Sequence, residues 1–579
     1  MRTAVIHNAL RLHSANELSN ISKKFLISVS SLFLFAMHLP FPNLGHSGLA
    51  LTFNITTWIA FSLCASIGCY QIATQNQLQY SKFTLALFIS CLLLTIPMLY
   101  LNSNWQLSLP RIIALWSGML FFVSLQQFNF KNRRQSLLWF VLLAVFIEIC
   151  LGYTQLLFFV INEPFGFIST KIPWGIFANA HLASAFLTLG LSISSFLLPL
   201  QNQRYACLFL LSFPALTLPL LLMLENKTAW VTTAAVFAFF LPYFCQYLNK
   251  KRLAAWLLSI VCGVFGASQM FNHLSTEAQE TPFLQHIATS FDHSEAKKQL
   301  SYQLTDMAIS EPLLGFGYGQ FAKEYTDFTA KQYFKNSFYP TTNTALAHPN
   351  NEALLWIIEG GALASLGLLV AFIAICLQMC RAQQTKKLAN FALLIPLVLH
   401  AQTGNLFAYS FVHWLAFIIL LWWIDGHSKL YFYAPKAPSR KALKITSFIL
   451  PPAVITFMLL ILQANYWLNA CQQGGYTNPT LLNNIAAPFL VQSKIDSARH
   501  RTYFNQGLRT ANPVLLKQYI DWASKIIKTR TELAEYLMLI AAYQQLNDSN
   551  NARIMMAKTQ FLFPKTDISS ALSVINMQQ

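Results

Sequence analysis

The sequence predicts an all-α polytopic membrane protein, and three observations carry that prediction. Of 579 residues, 55% are hydrophobic and only 10% are charged, where a soluble chain carries roughly a quarter. Apolar runs recur along most of the chain, and a bilayer span needs about 20 such residues. Lys and Arg gather in short clusters between those runs, which is how cytoplasmic loops read under the positive-inside rule.

In order, the runs lie near 25–42, 53–73, 83–101, 111–128, 137–160, 181–200, 205–224, 229–247, 253–271, 353–380, 388–403, 406–424 and 446–468. That makes about 13 transmembrane helices by the window rule. The pair between 388 and 424 is joined by a very short turn around Gly404. Arg2, Arg11, Lys23 and Lys24 precede the first run, which has no small-residue cleavage site, so it reads as a retained anchor.

With residues 1–24 in the cytoplasm, the loops on that side contain Lys82, then Lys131, Arg133 and Arg134, then Arg204, then Lys250, Lys251 and Arg252. Arg381, Lys386 and Lys387 follow, and then Lys429, Lys436, Arg440, Lys441 and Lys444. Every cluster falls on one side, and an odd number of spans puts the C-terminus on the other. The expected order is therefore helices 1–9 over 25–271, one large periplasmic loop over 272–352, helices 10–13 over 353–468, and a C-terminal periplasmic helical domain over 469–579. In that tail, apolar positions recur three and four apart from Val514 to Phe563, with a turn at "NDSN" 547–550. This is a helical, repeat-like pattern.

The net charge of +18 sits in loops and is not interleaved with aromatics on a soluble domain, which argues against nucleic acid as a partner. Nearly all ten cysteines lie in apolar runs, Cys471 excepted, and no zinc-like spacing occurs, so free buried thiols are expected. No carboxylate cluster suggests a metal, and no G-x-x-x-x-G-K-[ST] loop suggests a nucleotide. Chemistry independent of metals, nucleotides and cofactors is the expectation. The two related halves common in transporters and flippases are not visible. A structural membrane subunit with the tail as a docking module is the plainer alternative.

Arg111, Lys171 and Lys227 lie in or beside short outside loops, against the charge rule. Each alone reads as a snorkelling residue or the partner of an acid such as Glu163 or Glu225. Together they would form a rim that attracts a pyrophosphate head group. The large loop ends in "TNTALAHPNNEALLWIIEGGALASLGLLV", which sets His348, Asn351 and Glu352 just before a span. Glu359 follows about two turns into it, beside Gly360 and Gly361. An ionisable residue at that depth is a functional candidate. The alternative is an ion pair with a neighbouring helix, the glycines allowing close packing.

"HPNNEALLWIIEGGALASLGLL" resembles the histidine–asparagine motif of bacterial O-antigen ligases and protein O-oligosaccharyltransferases. "SYQLTDMAISEPLLGFGYGQF" resembles the Pro-Leu-Leu-Gly-x-Gly stretch in the same loop of those enzymes, and "NKTAWVTTAAVF" their Ser-Arg segment. Order and spacing agree across roughly residues 170–425. "WGIFANAHLASAFLTLG" at 174–190, with the soluble tail, resembles protein-glycosylating members of the PglL type. This chain has Lys227 where the family usually has Arg, and Lys297 and Lys298 near another usual Arg. Many relatives read His-Pro-His-Asn here, so the resemblance maps the family's essential histidine either to His348, the favoured assignment because it is the one histidine left in the motif, or to the position that is Asn350 in this chain.

The resemblance implies an inner-membrane enzyme with a periplasmic active site. It would move an oligosaccharide from undecaprenyl pyrophosphate to Ser or Thr of a pilin-like or other periplasmic protein. An O-antigen ligase or polymerase acting on a glycan or lipid A-core acceptor is the alternative. His348 would be the base or positioner, with Asn351 and Glu352 orienting it or the sugar. Lys227, Lys298, Lys297 and Arg111 would hold the leaving group, with Asn350 and Glu359 beside the substrate.

The charge alternation is testable by cysteine labelling near Glu324 and Ala498. Reaction from the extracytoplasmic side at both positions is expected, and cytoplasmic reactivity at either would refute the topology.

Overall fold

A computed structural model describes residues 19–39, 41–45, 48–160, 172–274, 295–341, 346–381, 384–426, 428–486 and 489–577. The chain is an all-α polytopic membrane protein. The helices are α1 (Asn20–Leu34), α2 (Thr52–Gln75), α3 (Lys82–Thr95), α4 (Trp105–Gln126), α5 (Ser136–Val160), α6 (Ala180–Leu197), α7 (Arg204–Met223), α8 (Lys227–Tyr247) and α9 (Lys250–Leu274). Next come α10 (Glu295–Ser310), α11 (Phe321–Lys335), α12 (Glu352–Cys380), α13 (Gln384–Thr403), α14 (Leu406–Tyr409), α15 (Phe411–Asp425) and α16 (Ala437–Gln473). The tail adds α17 (Gln492–Arg509), α18 (Pro513–Ile526), α19 (Leu533–Gln545), α20 (Ser549–Leu562) and α21 (Ile568–Met577).

Each of the expected spans overlaps a helix, although the first helix ends at Leu34 and the span at 406–424 is divided into two helices. Eleven are long and apolar enough to cross a membrane by length and composition. The other two are the pair between 388 and 424. There α13 is followed by the single turn α14, and α15 has only 15 residues. The last span is the middle of a 37-residue helix, α16. Cys471 lies near its end and is buried, and all ten cysteines are free.

Contacts divide the chain into two compact units. Unit 1 comprises Met1–Ile89, Ala114–His293 and Val370–Met458; unit 2 comprises Ser90–Ile113, Ser294–Leu369 and Leu459–Gln579.

Unit 1 is built around α6, which is buried almost throughout. Its serines and threonines are compatible with that burial because their hydroxyls donate to carbonyls, Thr188 to Ser184 at 2.9 Å and Ser192 to Ala392 at 2.7 Å. Asn179 caps its start through the amides of His181 and Leu182. The strands β1 (Leu78–Tyr80) and β2 (Tyr431–Tyr433) pair antiparallel. Arg134, expected in a basic loop, donates to Trp423 O at 2.6 Å and Gly426 O at 3.0 Å, with its guanidinium 4.8 Å from the ring centroids of Trp422 and Trp423. A cation at the C-terminal end of α15 answers that helix's orphan carbonyls.

In unit 2, helices α17 to α21 follow one another through short turns, as the tail pattern predicted. "NDSN" is the turn before α20: Asn547 has φ 58° and Asp548 caps the helix through Asn551 N. The tail core includes Phe504, Leu516, Tyr519, Tyr536, Ile540 and Phe563. Glu535, buried within it, accepts from Arg501 Nη2 at 2.7 Å and Tyr519 OH at 2.8 Å. Ala330 of α11 packs into the same core.

Candidate functional site: a broken helix, an aromatic corner and a histidine

Within unit 2 the tenth expected span is interrupted. Gly361 has φ 59° and ψ −143°, so α12 breaks there and continues beyond. A break at membrane depth exposes backbone groups that must find partners within the protein. The segment 313–317 supplies them. Phe316 N donates to Ile358 O and Gly317 N to Glu359 O, both at 2.9 Å, and Ala362 N donates to Leu313 O at 3.0 Å. The Pro-Leu-Leu-Gly-x-Gly stretch thus lies along the interruption and takes over its hydrogen bonds.

Such an approach requires glycine. Gly315 has φ +66°, and a Cβ there would come 2.7 Å from the backbone of Glu359 and of Gly361. The segment is also tied to the residues before α4: Asn102 Nδ2 donates to Gly315 O at 3.1 Å, Asn104 N to Tyr318 O at 2.7 Å, and Tyr318 N to Ser103 Oγ at 3.0 Å.

Glu359, whose carbonyl takes part in this docking, is 3% exposed. Its Oε1 accepts from Gly319 N at 3.0 Å and Phe321 N at 3.1 Å, and its Oε2 accepts from Arg111 Nη2 at 2.5 Å. The ion pair with a neighbouring helix, one of the two sequence readings, is therefore present. Arg111 also stands in an aromatic corner. Its guanidinium carbon is 4.6 Å from the Tyr318 centroid and 4.2 Å from that of Trp356, and the two rings meet edge to face at 78°. Tyr318 is fully buried and fixed by its hydroxyl donating to Leu94 O at 2.7 Å. Arg111 Nη2 is committed to Glu359, whereas its buried Nε has no hydrogen-bond partner.

His348 is half-buried and close enough to this pair for both charges to act on it. Burial holds its imidazole below the ordinary 6.5; Glu359 pulls it up in part, and Arg111 pushes it further down. The ring is therefore neutral near pH 7 and able to accept a proton. Asn350 is exposed with φ 53°, a left-handed position that asparagine tolerates. Asn351 Oδ1 accepts from Leu354 N at 3.0 Å, which makes it the cap of α12. Glu352 opens that helix and is buried.

The structure thus brings together Arg111, His348 and Glu359 in unit 2, with Asn350, Asn351 and Glu352 on the approach to α12. Lys298 is exposed on α10; the Lys297 side chain, Lys171 and Glu163 lie outside the described residues. Lys227 belongs to unit 1, as the first residue of α8. Asn226 caps that helix and its amide meets His181 Nδ1 at 3.3 Å, while His181 Nε2 donates to His400 O at 2.9 Å. Sequence reasoning missed Tyr318 and Trp356. Both sit inside the quoted motifs, but nothing in their spacing marks them as the rings that face a cation.

Two substitutions test this construction. Gly315→Ala should cost at least about 2 kcal/mol through its left-handed backbone and close contact. Glu359→Ala should cost about 3–5 kcal/mol by leaving Arg111 buried without a counter-charge. Thermal unfolding of the purified protein in detergent reads both; unchanged melting for the pair would contradict the docking.

Comparison with known proteins finds that residues 388–576 match the family model described as virulence factor membrane-bound polymerase, C-terminal. No curated protein matches the chain. The matched stretch runs from α13 to α21, so its likeness to membrane-bound polymerases concerns the last spans and the tail.

Proposed function

We propose that this chain is a glycan-transferring enzyme of the bacterial inner membrane, acting at its periplasmic face with undecaprenyl pyrophosphate as the glycan carrier. The acceptor we assign is a Ser or Thr hydroxyl of a periplasmic or pilin-like protein. The observation that carries the reading is the placement of half-buried His348 close enough to the Arg111–Glu359 pair for both charges to act on it. The match of the last third of the chain supports an O-antigen polymerase- or ligase-like membrane enzyme.

In the proposed reaction an acceptor hydroxyl oxygen attacks the anomeric carbon, and its proton passes to the His348 imidazole. The bond from that carbon to the pyrophosphate oxygen breaks, and the electron pair leaves with the lipid pyrophosphate. Positive hydrogen-bond donors lower the barrier by meeting charge as it develops on the departing oxygens. Arg111, whose charge acts on His348, is the cation assigned to the leaving group in this scheme, with Lys298 of the same unit as a second candidate. Glu359 holds Arg111, and Asn351 holds the start of α12. The likeness of residues 388–576 to membrane-bound polymerases favours a second reading, in which the acceptor hydroxyl belongs to a sugar and the chemistry is unchanged.

Purified protein with lipid-linked glycan, offered either a pilin-like protein or a glycan acceptor, separates the two readings. His348→Ala should lower transfer by about 10²–10⁴ while membrane insertion persists. Asn350→Gly is the control, because glycine accepts the left-handed backbone at 350 and should leave the base intact. Since burial depresses His348, the acid limb of the wild-type pH profile should fall below 6.5. Loss of activity in Asn350→Gly with full activity in His348→Ala would reverse the assignment.

A further inference from the structure

We propose that Tyr318 and Trp356 are positioning residues, which orient Arg111 toward the phosphate oxygens of a polyprenyl pyrophosphate donor; the inference rests on the reading of this site given above. An arginine side chain has several rotatable bonds, and an unguided guanidinium samples many orientations at an entropic cost to any ligand it binds. Here three separate contacts define it. Glu359 takes Nη2 from one direction, and two rings at 78° to each other face the guanidinium carbon at 4.6 and 4.2 Å.

Each contact is itself anchored. Tyr318 is held through its hydroxyl, amide and carbonyl by Leu94, Ser103 and Asn104. Trp356 stands on the first segment of the broken α12, whose start is capped by Asn351. The loop docking that aligns Tyr318 is the same one that satisfies the break at Gly361, so backbone geometry and guanidinium orientation are set together.

The ion pair does not exhaust the arginine. Glu359 takes one N–H, and the Nε–H lies buried with no hydrogen-bond partner. Because Glu359 balances the charge, what the site offers an anion is directed hydrogen bonding from a planar fork more than net positive potential. That suits tetrahedral phosphate oxygens. It also explains why a fixed orientation matters: a misaligned guanidinium beside a carboxylate has little residual attraction for a second anion.

The test measures binding of undecaprenyl pyrophosphate by the full-length protein in nanodiscs, together with KM for lipid-linked glycan and kcat. Trp356→Leu should weaken binding and raise donor KM by about tenfold, while Trp356→Phe, which keeps a ring, should stay within about threefold of wild type. Tyr318→Phe, which keeps the ring but loses the hydroxyl bond to Leu94, should raise donor KM by less than Trp356→Leu does. The deciding arm is the same Leu substitution made on Arg111→Lys, which keeps a cation for Glu359 but has no planar group to stack. If the ring acts through the guanidinium, Trp356→Leu should cost less than about twofold in that background. A full tenfold loss there overturns the inference, as does wild-type affinity in Trp356→Leu alone. Binding that ignores Arg111→Lys and Arg111→Gln together instead removes the donor phosphate from this site. That outcome sinks the functional reading itself, and it is distinct from a loss on Arg111 substitution without any dependence on the rings.

Discussion

A carboxylate that is 3% exposed near the start of a membrane helix constrains everything around it. Burying an ion costs several kcal/mol even after relaxation, and only a full set of charged and hydrogen-bonded partners offsets it. Glu359 has three donors: Arg111 and the amides of Gly319 and Phe321. From that requirement follow the approach of the 313–321 segment, the glycines that permit it and the place of Arg111. The break in α12 is part of the same arrangement, because the segment that brings donors to the carboxylate also brings partners to the carbonyls of Ile358 and Glu359. Breaking the pair by removing one partner would leave the other charge uncompensated, which is a larger effect than the pair's own net contribution.

The same arrangement shapes the chemistry. His348 lies in a loop, yet it is half-buried near two opposite charges, and burial is the largest influence on its proton affinity. The result is an imidazole held neutral near pH 7, as the proposed base would have to be. Asn351 caps the start of α12. In unit 1 a different, partly buried polar set joins His181 to Asn226, which caps the start of α8 at Lys227. Its members sit in the two other quoted segments, "NKTAWVTTAAVF" and "WGIFANAHLASAFLTLG".

Much of the fold was legible because the apolar runs and their lengths are one-dimensional information. The pair at 388–424, joined in the sequence by a very short turn around Gly404, is where the helices fall short of the others in length or hydropathy. The tail turn at 547–550 was readable from its Asn and Asp residues. The break at Gly361 was not readable, since two adjacent glycines in an apolar helix fit close packing equally well; only the hydrogen bonds to 313–317 distinguish them. Arg111 and Glu359 were both picked out, but their partnership was not, because 248 residues separate them. Tyr318 and Trp356 were lost among 14% aromatic residues, where nothing in spacing marks the two that face a cation.

The most direct test of the account is covalent mapping with a photoreactive polyprenyl pyrophosphate carrying its reactive group next to the phosphates. After irradiation of the full-length protein in membranes and proteolysis, adducts are expected on the peptides that contain Arg111 and on those spanning His348 to Glu359. Competition by unlabelled undecaprenyl pyrophosphate should remove them. Adducts confined to the tail helices, or spread over the membrane helices without competition, would contradict the assignment of this corner to the donor.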